Sequence, residues 1–333
     1  MSVTPEASAG GGPAGPAAPP APPGTPSSTP EAIKAIPVRH YGRWVGAVVV
    51  ILLALWLITA AAGTKNIQWD EIPNYLFHPN ILEGLKNTLI ISCAAMAAGI
   101  VLGVIFAVMR LSPNPVLSTV SWFYIWIFRG TPVYLQLIIW FNLALVFQNV
   151  ILAIPGTNIT LFQMPMNEFM TPFMAALLGL GLNEGAYMAE IVRGGIQSVD
   201  EGQAEAANAL GMTRGQTMRR VVLPQAMRVI IPPTGNEFIS MLKLSSLATV
   251  VTYGELVRKA SDLYTQNLLI LEMFFTISIW YLAVTTVTSI GQYFLERRFS
   301  RGSSRNQRPL PFQETLLRLR ARGRAGGGGD AGA

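Results

Sequence analysis

The stretch Glu205–Ala226, EAANALGMTRGQTMRRVVLPQA, is a polar, arginine-bearing segment in the middle of a chain that is otherwise very apolar. Just before it, Ser198-Val199-Asp200-Glu201 fits a capping box, with a hydroxyl at the cap and a carboxylate three residues on. A short helix is predicted from about Val199 to Leu210, with Asp200 and Glu201 in the first turn, where the helix dipole favours negative charge. Gly211 suits the left-handed residue that ends such a helix. Thr213-Arg214-Gly215-Gln216 is a second capping box and opens another helix, expected to stop before Pro224. Ala204, Ala206, Ala207 and Ala209 make the first helix narrow enough to enter a groove on a partner. Met218, Val221 and Val222 share one face of the second and are expected to hold it against the rest of the chain. Connections between helices are usually short. A structured segment of about thirty residues with two capped helices (196–226) therefore reads as a docking elbow.

The surroundings of the elbow place it beside a membrane. Of 333 residues 51% are hydrophobic and 13% charged, and the mean hydropathy is +0.40. Soluble domains carry about 25% charged residues. Runs long enough to cross a bilayer, about 20 residues, are predicted at 44–63, 85–109, 133–153, 170–192, 230–252 and 268–292. The fold expected is thus an all-α membrane protein with about six transmembrane helices. Residues 1–40 are a Pro/Ala/Gly-rich tail with little to bury, expected to be disordered, and 298–333 form a basic, Gly-rich tail. Ala95, Gly99 and Gly103 set small residues four apart on one stripe, where another helix can come close.

Positive charge orients these spans. With both termini cytoplasmic, nineteen lysines and arginines fall on inside segments and four outside (Lys65, Lys86, Arg258 and Lys259), with Lys243 left within a span. Cytoplasmic loops carry the excess of Lys and Arg, so the elbow faces the cytoplasm. Nine of the 24 basic residues lie between Arg297 and Arg324 with only Phe299 and Phe312 as aromatics among them, too few for a base-stacking surface, so they read as a topology signal beside lipid and not as a nucleic-acid surface.

The elbow also carries a resemblance. Glu205-Ala206-Ala207, then Gly211, then Val221-x-Leu223-Pro224 is similar to the cytoplasmic loop signature of ATP-binding-cassette importer permeases, with Val221 where the family usually has isoleucine. Residues 82–297 resemble the branch for polar amino-acid uptake. The elements that carry this are Gly84 with Asn87-Thr88-Leu89, Arg129-Gly130-Thr131-Pro132, Ala186-Tyr187-x-Ala189-Glu190-x-x-Arg193-Gly194-Gly195-Ile196, Gly202-Gln203, Pro224-Gln225-Ala226 and Lys243-x-Ser245-Ser246-Leu247. The resemblance implies the type I importer permease fold. It makes Glu205, Ala206, Ala207, Gly211, Leu223 and Pro224 the coupling surface for a separate ATPase. The implied partners are that ATPase, an extracytoplasmic amino-acid-binding protein, a second permease subunit and the bilayer, with ATP bound by the ATPase and no cofactor here. The span at 44–63 is additional to the five common in the family, and Leu244 stands where relatives often have a polar residue.

Ionisable residues inside spans cost a few kcal/mol and usually face an interior pathway. Lys243, Glu184, Glu190 and Arg193 are the candidates for a solute path. Lys243 lies ten residues beyond Pro233, about 15 Å of helix, and with Glu184 could supply both charges that a zwitterion needs. Glu190 and Arg193, three apart, could instead pair with each other. A phosphate-binding loop is lacking, since no lysine follows a glycine; His40 and His78 are far apart, and no nucleophile elbow occurs. Neither a catalytic residue nor a metal site is predicted. An ion-coupled secondary transporter, or a membrane scaffold or receptor that docks a cytoplasmic partner, are the alternatives.

Overall fold

A computed structural model describes residues 41–64, 67–154, 156 and 160–299. The expectations for 1–40 and for the tail beyond Phe299 lie outside the described residues. The chain divides after Thr64 into two units. The first contains α1, Tyr41–Ala62, whose stretch Trp44–Ala62 is apolar all round and has no buried face. A helix of that length and composition is suited to lipid on every side.

The second unit opens with a short helix α2, Glu71–Leu76, and a long one, α3, Pro79–Arg110. α3 is started by the His78 ring, which accepts from the Asn80 N–H, and by Pro79 in the first turn. Helices α4, Pro115–Gly130, and α5, Val133–Phe141, follow, then a hairpin of β1, Asn149–Ala153, and β2, Thr160–Pro165. The hairpin pairs Asn149 with Pro165 and Leu152 with Phe162, with an irregularity after Leu152. Beyond a single turn, α6 (Met166–Phe169), come α7, Pro172–Gln197; α8, Glu201–Ala209; and α9, Arg214–Thr217. A π-helical turn at Met218–Val222 leads into α10, Leu223–Leu244, and a 3-10 turn at Ser245–Val251. The unit ends with α11, Leu256–Asn267, and α12, Ile270–Phe299. Within it, α3 and α12 are long and apolar enough to cross a membrane.

The seam between α3 and α7 organises this unit. A methyl group at Gly99 would collide with Glu184, and one at Gly103 with Met188, so the pairing advances in the same direction along both helices and they run parallel. The stripe predicted from Ala95, Gly99 and Gly103 is therefore a true seam, and Gly181 and Gly185 answer it from α7 by lying against Ala98 and Leu102. α4 and α5 run the other way: Tyr124 donates to the Leu182 carbonyl at 2.7 Å, while Leu137 further along packs on Gly179.

The predicted span at 133–153 is corrected here. Helix begins earlier, at Pro115, is interrupted at Thr131–Pro132, and ends at Phe141, while 149–153 is a strand. At 1.5 Å per residue α4 and α5 measure about 24 and 14 Å, and only together can they cross a core about 30 Å thick. The break frees carbonyls that hydrocarbon cannot solvate. Asn183 donates to the Phe128 carbonyl at 2.6 Å, and Gln136 donates to Phe128 O at 3.0 Å, Thr131 O at 3.1 Å and Thr131 Oγ1 at 2.8 Å.

The Gly84-Asn87-Thr88 element has a structural task. Gly84 lets α3 touch the backbone of Leu256, Asn87 Nδ2 donates to the Gly254 carbonyl at 2.8 Å, and Thr88 Oγ1 accepts from the Leu256 N–H at 3.0 Å. Glu255 caps α11 by accepting from the Val257 and Arg258 N–H groups, and Lys259 pairs with Glu83 at 2.8 Å. Burial pushes the Glu255 carboxyl up to about 7 in spite of those donors.

Two substitutions probe this packing. Gly103→Leu should lower the melting temperature of the detergent-purified protein by an overpacking cost of about 1–3 kcal/mol or abolish folding, whereas Gly194→Ala, with open space around it, should be neutral or slightly stabilising. Gln136→Leu, which strips the donor from the α4–α5 break, should cost about 1–3 kcal/mol in the same assay.

Candidate functional site: a capped corner and a polar helix face

The elbow forms helix, glycine corner, helix, with two changes from the sequence reading. Asp200, not Ser198, caps α8: its Oδ1 accepts from the Gly202 N–H at 2.9 Å. The Ser198 hydroxyl turns back to the Gly195 carbonyl at 2.7 Å, because α7 runs on to Gln197 and uses Ser198 as its own end. Thr213 and Gln216 form the predicted capping box, and Gly211 takes φ +78°. The second helix does not stop before Pro224. A proline lacks the N–H and crowds the carbonyl four residues back, and the widened turn at 218–222 precedes it, with the Leu223 N–H reaching the Met218 carbonyl. α9, the π turn and α10 thus form one continuous helical rod from the corner into the membrane unit.

The corner is held by its own residues. Ala207 is 4% exposed, the Met212 N–H donates to its carbonyl at 3.1 Å, and Thr217 Oγ1 lies 3.4 Å from Asn208 Oδ1. Glu205, Ala206 and Ala209 remain exposed, and Leu210 is 84% exposed. Of the six predicted coupling residues, Glu205 and Ala206 face outward, Ala207 packs inward, Gly211 supplies the turn, and Leu223 and Pro224 start α10 with exposed side chains. Of the face predicted to pack inward, Val222 is buried but Met218 is exposed.

The four candidate path residues separate. Lys243 is exposed in the last turn of α10, twenty residues and roughly 30 Å from Leu223. Glu184 is 4% exposed, wedged against Gly99, with its Oε1 unpartnered among the described residues. The structure does not pair the two. Glu190 and Arg193 do pair, at 2.6 Å, and Arg193 also reaches Gln197. They line a cleft of about 580 Å³ with Arg129, which lies over the Tyr187 ring at 5.0 Å.

Sequence reading missed the polar face of α10. Asn236, Ser240 and Lys243 are exposed at positions that share one side of the helix, and half-buried Glu237 lies beside them, near enough to Glu184 to act on its charge. The i, i+4, i+7 spacing of these polar residues was the available signal. Pro232 and Pro233 lie within α10, and Gln292 of α12 enters against Gly235, donating to the Pro232 carbonyl at 2.8 Å.

Comparison with known proteins gives the same direction. The family described as binding-protein-dependent transport system inner membrane component matches residues 99–301. The arginine transport system permease protein ArgU of Corynebacterium glutamicum is 45% identical over 278 residues, 83% of this chain and 86% of that protein. The glutamine transport system permease protein GlnP of Escherichia coli K12 is 34% identical, across 70% of this chain and 98% of its own length. A solved amino acid ABC transporter crystallised with histidines is 34% identical with a TM-score of 0.59, covering 70% of this chain and 99% of that one. From the corner motif, the helical fold and these likenesses, the chain belongs to the family of binding-protein-dependent transport system inner membrane components, as a permease subunit.

Proposed function

We propose that this chain is the transmembrane permease of an ATP-driven importer of polar amino acids. A separate ATPase docks on the corner at Glu205–Gly211, and an extracytoplasmic binding protein delivers the solute. The observation that carries the reading is the corner itself: a self-packed turn that presents Glu205, Ala206 and Leu210 outward and continues through one helical rod into α10. Movement of the corner is thereby transmitted to α10 without a flexible joint.

The solute path runs along the polar face of α10. Exposed Asn236, Ser240 and Lys243 would be costly against lipid, so this face lines an aqueous route shared with a second permease subunit, of the same or a sister chain. Half-buried Glu237 brings an acidic group to that face, which suits a cationic side chain, while Lys243 attracts a carboxylate. Arginine, the cargo named for ArgU, is the first solute to try. Glu190 and Arg193 stand at the inner end of the route. The excess of positive charge on the elbow side supports cytoplasmic termini, and the long apolar helices support a multi-pass protein with α1 as an added span.

Two measurements test this. A mild-detergent pull-down of the full chain should recover an ATP-binding-cassette ATPase, and Glu205→Arg should lose it while the permease remains folded; absence of any ATPase from the wild type would turn attention to ion-coupled transport or a scaffold role. Lys243→Met should abolish uptake with the complex still assembled, and unchanged transport would remove Lys243 from the path.

A further inference from the structure

A groove of about 350 Å³ lies between the start of α8 and the π turn of the rod. Its floor is apolar, built from Ile196 and Val199 ahead of α8 and from Met218 and Val222 of the π turn. Asp200 and Glu201 add two carboxylates to its wall, and no lysine or arginine lines it. Asp200 Oδ1 caps α8, yet among the described residues neither carboxylate has an ion pair. Met218, 41% exposed, stands open between them and the rod. An apolar floor with unmatched negative charge at its edge suits a segment that is apolar along one stripe and basic beside it.

The chain leads such a segment to this place. α12 starts beside α11, at the end of the unit away from the corner, and its Gln292 reaches the Pro232 carbonyl, ten residues along the rod from Val222. From Gln292 to Phe299 it advances about 10 Å towards the corner, so the described chain ends within about one turn of the level of Val222. Residues 300–309, extended, can span about 33 Å. They lead to Pro311–Arg322, PFQETLLRLRAR. Pro311 and Gly323 are start and stop signals for a short helix. On such a helix Phe312, Leu316 and Leu319 share one stripe at i, i+4, i+7, with Arg320 and Arg322 bordering it on either side. Residues 300–333 carry seven arginines against Glu314 and Asp330. A short tether holds its two ends at an effective concentration in the millimolar range, which favours this segment over a separate protein as the occupant.

We propose that residues 311–322 dock in this groove as a helix and brace the start of α8 against the rod. The leucine stripe lies on Met218 and Val222, and Arg320 and Arg322 meet Asp200 and Glu201. Glu205–Gly211 stays uncovered, so the contact goes beyond the transport reading and stands or falls apart from it.

The test is disulfide trapping in the full chain, with Cys93→Ala removing the native thiol and Leu316→Cys paired with Met218→Cys. Mild oxidation should link the two within one chain, several-fold faster than Leu316→Cys paired with Leu210→Cys at the uncovered corner. Should Met218→Cys impair folding, Ala204→Cys on the groove wall takes its place. Arg320→Glu with Arg322→Glu should slow the trapping several-fold, and adding Glu201→Arg should restore part of the rate. Those arginines lie beyond α12, so reversing their charge probes the contact without altering the groove. Equal trapping at Met218 and Leu210, links only between two copies, or a rate indifferent to the charge reversal would each overturn the tail brace. Trapping that appears only once an ATPase is bound would overturn it as well, in favour of a groove completed by that partner.

Discussion

Close approach of α3 to α7 is the interaction on which the rest of the membrane unit depends. Lipid is as apolar as leucine, so helices in it gain little from burying apolar surface and associate through tight packing and hydrogen bonds. Gly99 and Gly103 of α3, with Gly181 and Gly185 of α7, remove the side chains that would hold the two backbones apart. The seam fixes the rotation of α7, and that rotation decides where its ionisable residues go. Glu184 is pressed against Gly99, whereas Tyr187, Glu190 and Arg193 turn into the cleft beside α4.

A second constraint is that backbone groups freed inside hydrocarbon need internal partners. It explains several buried polar side chains that would otherwise look misplaced. Asn183 and Gln136 serve the break between α4 and α5, and Gln292 serves the proline-bearing stretch of α10. The π turn before Pro224 accommodates that proline and keeps the corner and α10 in one rod.

Much of this was legible in the sequence because the signals are local. The capping box at Thr213–Gln216, the left-handed Gly211 and the small-residue stripe of α3 each follow from a few neighbouring residues, and each is found as read. The errors arose where two local signals competed or where hydropathy stood alone. Ser198 and Asp200 can both cap a helix; α7 extended far enough to claim Ser198 for its own end. The run 133–153 is uncharged throughout and apolar on average, yet its last part is a strand, a distinction that average hydropathy does not make. Asn114 with Pro115 was a usable start signal for α4, since Asn114 Oδ1 accepts from the Val116 N–H. The distance between Lys243 and Glu184 depends on how α10 packs, and no local pattern encodes that.

The central claim is that ATP bound by another subunit drives solute through this chain. It is tested most directly in proteoliposomes that hold the permease and its co-purified ATPase, with the binding protein outside and ATP or a non-hydrolysable analogue inside. Uptake of labelled amino acids should require hydrolysable ATP and proceed without any ion gradient. Uptake by the permease alone, following an imposed proton or sodium gradient and indifferent to ATP, would contradict the account.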